Sequence, residues 1–138
     1  MTLTTALVAD DSRIFRALIA EVLRERGLEV VQAADGREAL DALLGRRPQL
    51  AILDALMPLH SGFDVVSMMR EKAPDYHPVV FIVTAVYKSR RWELEARQQY
   101  RVDEYLEKPL EPEDLLKVIG KHFPDFPGAA PAAPASGS

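Results

Sequence analysis

Short apolar runs rich in β-branched residues alternate five times with longer stretches of helical period, and this alternation constrains the fold more than any other feature of the chain. The runs are Thr4–Ala9, Glu29–Ala33, Leu50–Leu53, Val79–Val83 and Glu104–Glu107. The third and fourth, Leu50-Ala-Ile-Leu and Val79-Val-Phe-Ile-Val, are almost wholly apolar, as expected of parallel strands covered on both faces. The spacing predicts helices over Ser12–Arg26, Arg37–Leu44, Phe63–Lys72, Arg90–Tyr100 and Glu113–Phe123. In the first of these, Ile14, Leu18 and Val22 form one stripe with Phe15 and Ile19 beside it, and Gly27 is placed to end the helix. Strand then helix, repeated in this way, predicts an α/β fold: an open, doubly wound parallel sheet with right-handed crossovers and helices on both faces. No solenoid-type repeat competes with it.

The totals fit that expectation and exclude several functions. A chain of 138 residues matches about one domain and can bury a core without staples. With 48% hydrophobic and 28% charged residues it reads as globular rather than disordered. A net charge of −4 offers no electrostatic footprint, so neither direct nucleic-acid binding nor attachment to an anionic membrane is expected. Cysteine is absent, which removes disulfides, thiolate metal sites and thiol nucleophiles. The N-terminus lacks the basic lead and long apolar run of a secretory signal, and no stretch reaches transmembrane length, so a cytoplasmic location is expected. After Phe123 the composition shifts to Pro, Ala, Gly and Ser. The expected organisation is a domain over 1–123 and a linker or disordered tail over 124–138.

Doubly wound sheets bind ligands beyond the carboxyl ends of their strands. Asp10 and Asp11 follow the first run, Asp54 the third, Thr84 the fourth, and Lys108 and Pro109 the fifth. Each has a bland alternative. Asp11 or Ser12 serves equally as a helix cap, Thr84 as a buried hydroxyl bonded to backbone, Asp54 as a turn-former and Lys108 as a surface lysine. Their joint occurrence at one sheet edge is what those alternatives explain poorly. Two carboxylates about 4–5 Å apart repel by roughly 3–4 kcal/mol at moderate effective dielectric. Three converging carboxylates therefore raise one another's pKa values or demand a cation. Lys108 supplies one positive charge, and an all-oxygen site with open positions suits Mg²⁺. Such an edge can receive a phosphoryl group, its oxygens offset by metal and ammonium while a carboxylate attacks phosphorus. The histidines His60, His77 and His122 lie far apart without metal-ligand spacing and read as loop or surface residues.

Over residues 4–123 the chain resembles the receiver domain of bacterial two-component response regulators. The resemblance rests on Asp10-Asp11, on the block Asp54-Ala-Leu-Met-Pro-Leu-His-Ser-Gly62, on Thr84-Ala85 and on Tyr105-Leu-Glu-Lys108-Pro109, in the family's order and approximate spacing. It implies a flavodoxin-like sheet of order 2-1-3-4-5. It also implies a signalling switch rather than an enzyme of turnover, with self-phosphorylation and slow self-dephosphorylation only. Asp54 is then the phosphoacceptor, served by a sensor histidine kinase or a histidine phosphotransfer protein. Asp11, Asp54 and the backbone carbonyl of Leu56 bind Mg²⁺ directly, and Asp10 acts mainly through water. Lys108 pairs with the phosphoryl oxygens, and Thr84 donates its hydroxyl to them. Tyr105 turns from exposed to buried, altering the face formed by the fourth helix, fifth strand and fifth helix. The Lys108–Pro109 bond is cis. That face is where an output domain, a partner protein or a second copy of the chain would bind.

The chain departs from the family in several places. Leu56 and Val86 stand where polar side chains are common, which motivates the expectation of slow self-dephosphorylation; a phospho-lifetime of a few seconds would refute it. The stretch Val86–Arg91 is longer than usual by a residue or two and leads into a basic fourth helix with Lys88, Arg90, Arg91 and Arg97. Trp92, Ala96 and Tyr100 share a stripe that reads as core. Asp103, Glu104 and Glu107 lie near the basic helix, an arrangement compatible with a charge-paired homodimer. Arg101 stands where the family has glycine and would cost about 1 kcal/mol in a left-handed backbone. Two alternatives remain open at this level. One is a degenerate receiver acting as a non-phosphorylated scaffold. The other, favoured by little, is a small aspartyl-phosphate hydrolase of the haloacid dehalogenase kind, which needs an acid where Leu56 stands.

Overall fold

The computed structural model describes residues 2–85, 94 and 98–126. In chain order these form β1 (Thr5–Ala9), α1 (Arg13–Glu25), β2 (Glu29–Ala33), α2 (Gly36–Arg46), β3 (Leu50–Asp54), α3 (Gly62–Lys72), β4 (Val79–Thr84), β5 (Glu104–Glu107) and α4 (Pro112–His122). All strands run parallel in one sheet of order β2-β1-β3-β4-β5. The flavodoxin-like order implied by the resemblance is therefore the observed one.

Strand periodicity splits the core in two, because successive side chains leave opposite faces of the sheet. Leu7, Leu53 and Ile82 meet Leu40 and Leu43 of α2 and Val65, Val66 and Met69 of α3 on one face. Val8, Ile52, Phe81 and Val83 meet Ile19 and Leu23 of α1 and Leu115 and Ile119 of α4 on the other. Both faces of β3 are thus covered, and every residue from Leu50 to Asp54 is buried. That is why its sequence is a continuous apolar run broken only at its end.

Helix ends follow side-chain chemistry with two deviations from the sequence reading. Ser12, Asp35 and Ser61 accept hydrogen bonds from the N–H groups of Phe15, Glu38 and Asp64 and so cap α1, α2 and α3. Gly45 does not end α2, which continues to Arg46 and stops on Arg47 in the left-handed region (φ 46). The Arg47 guanidinium is held there by Asp75 at 2.9 Å and lies over the Tyr76 ring at 5.3 Å. At the other end, Phe126 is only 2% exposed and packs with Phe123 against α1 and α4. The packed body therefore runs past the expected boundary at residue 123.

Most of the expected fourth helix, Arg90–Tyr100, lies outside the described residues, as do Val86, Lys88, Arg91, Trp92, Ala96 and Arg97; Leu94 and residues 98–100 are helical. Arg101 does adopt a left-handed backbone (φ 54), and its carbonyl accepts a hydrogen bond from Arg70 Nη2 at 2.9 Å. Among the described residues no helix is long and apolar enough to cross a membrane.

Candidate functional site

Sheet register assembles the site. Ala9 pairs with Leu53, Asp54 with Val83 and Thr84 with Glu107. Asp10, Asp54, Thr84 and Lys108, dispersed over the sequence, are therefore brought to one carboxyl edge. Asp10, Asp11 and Asp54 each present an oxygen such that the ligand atoms lie within 4.8 Å of one another. It is the one grouping of this kind among the described residues.

Each member is fixed by its backbone. The Asp10 N–H donates to Ala33 O at 3.0 Å, and Arg16 Nη1 donates to Asp10 O at 2.7 Å. Asp10 Oδ1 accepts from the Ser12 N–H at 2.8 Å, while Oδ2 faces Lys108 Nζ at 2.7 Å. Because Ser12 is the α1 cap, Asp11 is left exposed and directed to the cluster rather than spent on the helix end. The N–H of Ala55 donates to Val83 O at 2.8 Å, and that of Lys108 to Thr84 O at 2.8 Å. The Lys108–Pro109 bond is cis. Thr84 is fully buried at the end of β4.

Asp54 carries the electrostatic tension. It is 8% exposed. Burial, and then the charge of Asp10, push its carboxyl up from 3.8 to about 6; Asp11 adds to this, while Lys108 and the Leu56 N–H oppose it. One ammonium does not neutralise three carboxylates. The excess of negative charge and the all-oxygen donor set fit a small, hard divalent cation, which Asp10, Asp11 and Asp54 could hold.

Glycines permit the close packing beneath the site. A Cβ on Gly62 would lie 2.5 Å from Asp54 O, so the start of α3 rests directly on the backbone of the acidic residue. Gly36 opens α2 against the loop after β3, donating to Pro58 O at 3.0 Å, and a Cβ there would collide with His60 O. The "Gly62" of the sequence motif thus has a steric reason, whereas Gly36 and Arg16 carried no sequence signal linking them to the site.

Other residues stand differently from their sequence reading. Tyr105 is only 5% exposed, its ring 6.2 Å from that of Phe63, so it already occupies a buried position. The exposed-to-buried turn expected of it does not start from this arrangement. His122 is not a loop residue: it ends α4, bonds Glu104 Oε2 at 2.9 Å and lies 5.4 Å from the Phe81 ring. Leu56 is exposed beside Asp54, as its position in the loop requires.

Comparison with known proteins agrees with this fold. The family profile of the response regulator receiver domain matches residues 6–120. The transcriptional regulatory protein PdtaR of Mycobacterium tuberculosis is 36% identical over 114 residues, covering 82% of this chain and 53% of that protein. Protein PilG of Pseudomonas aeruginosa is 27% identical over 120 residues, covering 87% of each. The structure of the chemotaxis protein CheY4 of Vibrio cholerae superposes with a TM-score of 0.78 at 30% identity, covering 87% of this chain and 98% of that one. The chain belongs to the response-regulator receiver domains. It spans about half the length of PdtaR and of the response regulator MprA, matching 53% and 46% of them.

Proposed function

We propose that this receiver domain is a Mg²⁺-dependent switch that takes a phosphoryl group onto Asp54 from a phosphohistidine on a sensor kinase or phosphotransfer protein. The observation that carries the reading is the convergence of Asp10, Asp11 and Asp54 with Lys108 at one edge of the sheet. An Asp54 carboxylate oxygen attacks phosphorus, the P–N bond to the imidazole breaks, and the imidazole leaves with its electron pair, giving an acyl phosphate. Lys108, turning from Asp10, meets the phosphoryl oxygens, and the Thr84 hydroxyl donates to another of them. Mg²⁺, held by Asp11 and Asp54 with the Leu56 carbonyl and by Asp10 through water, would supply charge neutralisation for the phosphoryl oxygens.

The surroundings suit a protein donor. Ile14 and Leu18 on α1, and Leu56 and Leu59 in the loop after β3, are large apolar side chains left exposed on the elements that carry the acidic residues. Readout is proposed through the face that β5 and α4 form with the segment preceding β5, where an output domain, a partner or a second copy would bind. The phosphoryl group adds charge of about −1.5 to −2 and strong acceptors at the end of β4, which Thr84 joins to that face.

Fluoroberyllate, an inert mimic of the phosphoryl group, tests the site without any kinase. Calorimetry is expected to record stoichiometric binding only when Mg²⁺ is present, and none to Asp54→Ala. Absence of binding to the parent protein would point instead to a non-phosphorylated interaction scaffold.

A further inference from the structure

Phe15 and Lys108 lie at opposite ends of the chain, and the sequence places Phe15 in an apolar helical stripe. In the folded protein the Lys108 ammonium sits 4.4 Å from the centroid of the Phe15 ring. The same nitrogen is 2.7 Å from Asp10 Oδ2, on a side chain only 18% exposed. The ring is half-buried in the first turn of α1, whose start is fixed by Ser12 Oγ accepting from the Phe15 N–H at 3.3 Å. We propose that Phe15 is a positioning residue for Lys108, its ring face seating the ammonium beside Asp10 while leaving N–H donors free for a phosphoryl group. The proposal rests on the reading of Asp54 as phosphoacceptor.

An ammonium carries three N–H donors on a flexible four-carbon stem. In this arrangement Asp10 engages one donor and orients the group along that bond. To serve a phosphoryl group on Asp54, the ammonium has to turn toward new oxygens without leaving the edge of the sheet. A further carboxylate would hold it only by competing for the donors it must release. An aromatic face attracts the charge as a whole through its quadrupole and does not demand a particular N–H. It also covers one side of the ammonium, so that rotation toward Asp54 does not first require a water shell to form there. Leucine would fill much of the same apolar space but offers no negative face, which separates seating from packing.

The test compares the full chain with Phe15→Leu and Phe15→Tyr, each alone and combined with Lys108→Met. The readouts are the rate of Asp54 phosphorylation by phosphoramidate at saturating Mg²⁺ and the thermal midpoint. Phe15→Leu is expected to slow phosphorylation about fivefold, while Phe15→Tyr, which keeps a ring face, stays within about twofold. In the Lys108→Met background, Phe15→Leu should leave the rate unchanged. An unaltered rate in Phe15→Leu, or an equal loss with and without Lys108, overturns the seating role. Should Phe15→Leu melt below the assay temperature, Phe15→Met carries the same comparison. If the parent chain takes up no phosphoryl group and also fails to bind fluoroberyllate, the reading of Asp54 falls, and this inference with it.

Discussion

At the scale of single residues, the role proposed for Asp54 combines two demands that conflict: a nucleophile must be ionised, and a buried strand end disfavours ionisation. Its carboxyl is raised from 3.8 to about 6, chiefly by burial and by Asp10. Between those values the folded state binds a proton that the unfolded state has released. The sign of the linkage follows: this group favours folding most at low pH, and its contribution is lost as pH rises toward and past 6. In metal-free buffer, Asp54→Asn should therefore stabilise the protein at pH 7.5 by about 2 kcal/mol, a gain that fades as pH falls from about 6 toward 4. Urea denaturation of both proteins across that range checks it. Added Mg²⁺ should raise the midpoint of the parent at pH 7.5 and do little at pH 5, where protons compete for the same oxygens. The acidic residues were legible in the sequence because polar side chains that terminate apolar strands are conspicuous. Phe15 was not, since an aromatic side chain on an apolar helical stripe has the same pattern whether it fills a core or seats a cation.

At the scale of elements, strand register does what no single motif can. It converts residues about a hundred positions apart into neighbours, as the 2.7 Å contact of Lys108 with Asp10 illustrates. Helices then press on the edge from behind. Gly62→Ala would place a Cβ 2.5 Å from Asp54 O. It should destabilise the fold by about 1–3 kcal/mol and slow phosphorylation of Asp54 beyond what lost stability explains. Phosphorylation rates measured well below the variant's melting temperature distinguish the two effects. Arg101, held at φ 54, is the reverse case: a side chain tolerated where none is wanted. Arg101→Gly should leave the site intact and raise stability by up to about 1 kcal/mol, readable in the denaturation midpoint. Alternation of strand and helix was plain from periodicity. The ends were less so, because Gly45 reads as a stop while the helix runs on to a cap at Arg47, whose guanidinium is fixed by Asp75 and Tyr76. Phe126 similarly looks like part of a tail, yet it is buried in the cluster that α1 and α4 line, and its N–H donates to Phe123 O at 2.9 Å.

At the scale of the whole molecule, a doubly covered sheet provides rigid backing on both faces and leaves one edge wet, polar and acidic. Fold and family could be read from the sequence because the periodicity and four separated motifs agree on one topology. The inward setting of Tyr105 could not, since a half-apolar ring on β5 has a place on either side of the surface. The role proposed for this edge is to carry a phosphoryl group on Asp54. Its most direct test is the intact mass of the protein after incubation with Mg²⁺ and acetyl phosphate, beside Asp54→Ala and beside a sample containing EDTA. One added phosphoryl group is expected on the parent, lost on treatment with hydroxylamine, and none on the variant or without the metal. A phosphoryl group that persists on Asp54→Ala, or a parent that gains none and also fails to bind fluoroberyllate, would contradict it.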